Sequence, residues 1–85
     1  MPNSRRGERF DPSVALGRAI RARRHEVGLS QEALAAAADL DRTYVGGLER
    51  GERNPTLRVL WQLAAALDVA PSRLIAKAEE ALATE

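Results

Sequence analysis

Helix-start and helix-stop signals recur along this chain at intervals too short for any long helix, and that punctuation limits the fold more than any other feature. Asp11 stands as an N-cap before Pro12, at the position where proline is tolerated, and Val14, Leu16, Ile20 and Val27 give the segment that follows an apolar side that Gly28 ends. Ser30 caps a short second segment, QEALAAAA, with Leu34 and Ala35 inward. Asp41 caps a third, which runs to Arg50 and stops at Gly51. After the turn ERNP, Thr56 caps a fourth, LRVLWQLAAAL, and Pro71 opens a fifth, PSRLIAKAEEAL, with fraying expected near Glu85. The pattern predicts five helices, no strand, and hence an all-α domain over residues 11–83 preceded by a flexible polar arm, residues 1–10. The alanine runs read as sites of close helix packing.

Eighty-five residues make one domain with a modest core, so self-association is the natural supplement. With no cysteine and one histidine, His25, neither a disulfide framework nor a zinc site is available. An enzyme is disfavoured too, because His25 has no plausible nucleophile nearby and the acids are scattered over caps and exposed faces. No metal and no cofactor is called for. No apolar leader and no run of about 18 apolar residues suggests secretion or a membrane partner, so the expected location is the cytoplasm, in association with the nucleoid. Net charge is only +1, but residues 1–28 carry seven arginines against three acids, a local +4 that leaves −3 for the rest. A basic stripe would then combine the first helix with Arg42, Arg50 and Arg53.

Residues 30–50 pair two short helices across a tight connection, the geometry in which a second helix enters a DNA major groove. At roughly 100° per residue, Val45, Leu48 and Glu49 share one side of the third helix. Thr43, Gly46, Gly47 and Arg50 share the other, with Arg42 and Tyr44 at the flanks. Each glycine costs a helix interior about 1 kcal/mol relative to alanine. On an outward face the pair would leave bare backbone able to approach a nucleic acid closely.

Gly28-Leu29-Ser30-Gln31, the Leu34-Ala35 pair, Leu48-Glu49-Arg50-Gly51 and Asn54-Pro55 together resemble the lambda-repressor/Cro-like helix-turn-helix family, the XRE-type regulators. Within it, LDRTYVGGLERGERNP is most similar to the restriction-modification controller proteins. The resemblance implies a five-helix fold with helices two and three as the helix-turn-helix. It also implies base contacts at Arg42, Thr43, Gly46, Gly47 and Arg50, and backbone contacts at Gln31, Tyr44, Arg53 and Thr56. Gln31 otherwise reads as an exposed helix-start residue, Arg42 as a solvated charge and Tyr44 as a half-buried aromatic. Arg24 and Glu49 match a partly buried ion pair that ties helix one to helix three in this family.

One such domain makes few base contacts, so a homodimer on a pseudo-palindromic operator is the expected form. Leu60, Trp61, Leu74, Ile75, Ala78 and Leu82 offer the candidate dimer interface, with Trp61 by itself also reading as a core anchor. Arg5, Arg6 and Arg9 in the arm suit a minor groove or phosphates, or belong to a solubilising tail. The leading function is a sequence-specific double-stranded DNA-binding transcriptional regulator, with RNA polymerase as a further candidate partner. The competing reading is a protein-interaction module, antitoxin-like, on the same fold.

Overall fold

The computed structural model describes residues 11–83, so the arm and the fraying expected at Glu85 lie outside the described residues. Five helices follow in order: α1 (Pro12–Glu26), α2 (Gln31–Ala38), α3 (Arg42–Glu49), α4 (Leu57–Ala66) and α5 (Pro71–Ala83). Side chains close the first four at their N-termini. Asp11 accepts from the amides of Ser13 and Val14, Ser30 from Ala33, Asp41 from Thr43 and Tyr44, and Thr56 from Val59. Each satisfies amides that the helix itself cannot, a contribution of about 0.5–2 kcal/mol.

The C-terminal ends divide between glycine and aspartate. Gly28 and Gly51 take φ of +76° and +78°. Asp39, closing α2, and Asp68, just past α4, take φ of 59° and 54°, a conformation that a short polar side chain tolerates better than a branched one. No glycine marks those two ends in the sequence. At the end of α3 the Gly51 amide donates to the Leu48 carbonyl and the Glu52 amide to the Gly47 carbonyl, which makes a Schellman motif.

α1 packs most extensively along α5, while α2 and α3 pair with each other and rest on α4 and α1 respectively. Ile20, Leu34, Val45, Leu48, Leu63, Leu67 and Leu74 are fully buried where these helices meet. Fully burying one such side chain contributes about 1.5–3 kcal/mol. Two expectations change. Val27 is the C-cap of α1 and faces solvent instead of the core. The alanine runs are only half packing sites: Ala35, Ala38 and Ala64 are buried, but Ala36, Ala37 and Ala65 are exposed and serve helix propensity instead.

A glycine unremarked in the sequence sets the relation of α1 to α3. A Cβ on Gly17 would lie 2.4 Å from the Leu48 carbonyl oxygen and 2.7 Å from that of Glu49, so the two helices cross with their backbones in contact. Gly51 is confined in the same way, its Cβ position 2.8 Å from Cα of Val14. α3 is therefore held at both its last turn and its terminator against α1.

Candidate nucleic-acid interface

α3 is also held by charge. Arg24 grips Glu49 bidentately, Nε to Oε2 at 2.6 Å and Nη2 to Oε1 at 2.9 Å, and its Nη1 donates to the Leu29 carbonyl at 2.9 Å. Gln31 adds a third donor to Glu49, Nε2 to Oε1 at 3.0 Å. Arg24 and Glu49 are 7% and 8% exposed, so this is a buried pair joining α1, the loop before α2, α2 itself and α3. Burial works against ionisation of Glu49, but the hydrogen bonds from Arg24 and Gln31, with the arginine charge, outweigh it and hold the carboxyl below the ordinary glutamate value. Among the described residues every buried side-chain nitrogen and oxygen has a hydrogen-bond partner.

With Val45, Leu48 and Glu49 turned inward, the outer side of α3 presents Arg42 and Thr43 in its first turn and Arg50 past its last. All three are exposed. Arg42 stands 3.5 Å from Glu32 of α2, a loose surface pair. Tyr44 is half-buried and packs against the core cluster, which agrees with the half-buried-aromatic alternative. Thr56 uses its hydroxyl to cap α4, and the first turn of α4 remains exposed beside it.

The two central glycines require a correction. They do not leave open backbone at the surface: both are buried, because long side chains of the same chain lie across them. A Cβ on Gly46 would sit 3.1 Å from Nη1 of Arg50 and 3.7 Å from Oε1 of Gln31, and one on Gly47 would sit 3.0 Å from Cγ of Arg53. Gln31 is corrected likewise, half-buried and donating to Glu49 instead of standing free at the start of α2. The glycines are a bed for Gln31, Arg50 and Arg53.

The apolar surface of α4 and α5 is narrower than expected. Leu60, Leu74 and Ala78 belong to this chain's own core at 7%, 2% and 6% exposure, and Leu82 is half-buried. The reason is geometric: Leu60 and Leu74 belong to the core cluster, and α5, which carries Ala78, packs along α1. What remains outside is Trp61 and Ile75, joined by Leu57, which is 71% exposed and which the sequence reading missed. Its spacing of four from Trp61 on one helix was the available signal.

Arg23 was also missed. It donates to the carbonyls of Leu67 and Asp68, both at 2.9 Å, and so fastens α1 to the end of α4. Among the described residues no group of acids or histidines is arranged to hold a metal ion, and no single helix is long and apolar enough to cross a membrane.

A paired α2 and α3, the second offering polar and basic side chains from one face, defines a helix-turn-helix domain. Residues 20–74 match the helix-turn-helix family of XRE type, and the chain belongs to this family of DNA-binding transcription regulators. Its relatives include restriction-modification control proteins. C.SmaI of Serratia marcescens is 44% identical over 68 residues, 80% of this chain and 81% of that protein. The crystal structure of C.AhdI from Aeromonas hydrophila is 48% identical, with a TM-score of 0.74 over 76% of this chain and 98% of that one. C.Esp1396I, solved as a tetramer in complex with its natural 35 base-pair operator, is 30% identical, with a TM-score of 0.78 over 86% of this chain and 96% of that one.

Proposed function

We propose that this chain is a transcriptional regulator of the restriction-modification controller type, binding a pseudo-palindromic operator as a homodimer. The observation that carries the reading is the division of α3 into a buried side, Val45, Leu48 and Glu49, and an exposed side bearing Arg42, Thr43 and Arg50. The similarity to C.Esp1396I, whose structure with its operator is solved, supports it.

In this reading α3 lies in the major groove. Arg42 meets a guanine edge with two parallel hydrogen bonds, and Thr43 offers a hydroxyl or a methyl to the adjoining base. Arg50 and Arg53 swing off the glycines, Arg50 toward a base edge and Arg53 toward phosphate, and the Gly46-Gly47 backbone then approaches the DNA closely. Gln31, anchored on Glu49, and the N-terminus of α4 at Thr56 face the flanking phosphates. Leu57, Trp61 and Ile75 form the self-association surface, since they are the large apolar side chains that α4 and α5 leave exposed.

Selection of bound duplexes from a random library at about 0.15 M salt, near physiological, tests the reading. Enrichment of a pseudo-palindrome with fixed half-site spacing is the expected result. Folded protein that enriches nothing would overturn it.

A further inference from the structure

We infer that Glu52 is an internal competitor for DNA, holding Arg50 folded over the bare backbone of α3 so that a duplex has to take the guanidinium away from it. The inference rests on the proposal that the outer side of α3 faces DNA.

The placement of Glu52 comes from the backbone. Its amide donates to the Gly47 carbonyl at 2.9 Å, closing the Schellman motif around Gly51, so its Cα has a defined position at the end of α3. In that motif the residue at this place and the one three positions before the cap commonly make an apolar contact. Here the two are Glu52 and Gly47, and no such contact is possible. A carboxylate beside the C-terminus of a helix also faces the negative end of the helix dipole, so local stability does not account for it either.

What Glu52 does contact is the arginine of the recognition face. Its Oε1 is 3.1 Å from Nη2 of Arg50. The other end of the same guanidinium lies over Gly46, with Nη1 3.1 Å from where a Cβ would stand. Glycine at 46 gives the folded-back arginine its room, and Glu52 supplies the charge that keeps it there. The Arg50 hydrogen bond and charge hold the Glu52 carboxyl below its ordinary value, and the charge of Arg53 acts in the same direction, so the competitor is fully ionised at neutral pH.

Arg50 cannot reach the duplex until its exposed pair with Glu52 is broken, and a pair of this kind weighs on affinity by up to about fivefold. Glu52→Gln keeps the backbone and the side-chain shape while removing the charge. Binding to a random-sequence duplex and to the selected operator is measured by fluorescence anisotropy across salt concentrations for wild type, Glu52→Gln, Arg50→Met and the double variant, with thermal melts verifying that each is folded.

The expected result is a gain of up to about fivefold at 0.1 M salt for Glu52→Gln, with the wild-type salt slope retained and the gain lost when Arg50 is methionine. Equal affinity of Glu52→Gln and wild type would overturn the inference. So would a gain that survives in the Arg50→Met background, since Glu52 would then repel phosphate directly and not act through Arg50. If wild-type protein binds neither duplex, the DNA-facing reading of α3 falls and this inference with it.

Discussion

Arg24→Ala is the perturbation with the largest consequence the structure supports. It would leave Glu49 nearly enclosed, with Gln31 as its one remaining side-chain donor, and would remove the donor to the Leu29 carbonyl. Breaking a buried ion pair from one side costs about 3–5 kcal/mol, chiefly because the remaining charge stays desolvated. Marginal stability of about 0.05–0.15 kcal/mol per residue makes that roughly a quarter or more of everything holding an 85-residue chain folded. With a urea m-value of about 1 kcal/mol/M for a small domain, the midpoint drops by roughly 3 M or more.

Acid supplies a second readout. Glu49 is depressed in the folded wild type, so its contribution to stability is present above the ordinary glutamate value of 4.5 and is lost as pH falls through the lower folded value. In Arg24→Ala the desolvation remains without the arginine, the carboxyl moves up, and protonation relieves the buried charge. The stability gap between variant and wild type therefore begins to narrow above 4.5, as the variant's raised carboxyl takes its proton, and narrows further below 4.5 as the wild-type carboxylate is lost. Urea unfolding at pH 7 and at pH 4 measures both effects. A loss under 1 kcal/mol at pH 7, or a gap independent of pH, would refute a buried, charge-dependent pair.

Three further outcomes follow from particular contacts. Gly17→Ala forces a methyl against the carbonyl oxygens of Leu48 and Glu49, backbone atoms that cannot turn aside, so it should cost about 1–3 kcal/mol or more by chemical denaturation; an unchanged midpoint would mean that α1 and α3 are not in backbone contact. Gly47→Ala gains about 0.5–1 kcal/mol of helix propensity but sets its methyl 3.0 Å from Cγ of Arg53, so the arginine has to shift and operator binding should weaken; a folded variant with unchanged affinity would refute close approach of that backbone to DNA. Trp61→Asp should convert the proposed dimer to a folded monomer in sedimentation equilibrium, and a wild type that is already monomeric at high micromolar concentration would rule out self-association through that face.

The helix boundaries were legible because capping is local chemistry: Asp11, Ser30, Asp41 and Thr56 each reach an amide two or three residues away, and the chain order alone specifies that reach. The inward side of α3 was legible too, since helical period places Val45, Leu48 and Glu49 together whatever they pack against. The ends of α2 and α4 were legible to within a residue from the apolar pattern, but the left-handed Asp39 and Asp68 that terminate them were not, because aspartate tolerates that conformation without signalling it as plainly as glycine does. Nor was the role of Gly17, which depends on where α3 crosses α1. The apolar residues of α4 and α5 could be named but not sorted. Leu60 and Trp61 are neighbours in sequence, and only the packing of α4 against α2 and α5 sends one into the core and leaves the other outside. Gly46 and Gly47 show the same division: helical period put them on the outer side of α3, and only the tertiary structure, by bringing Gln31 from α2 and folding Arg50 and Arg53 back from the cap, covers them with the chain's own side chains.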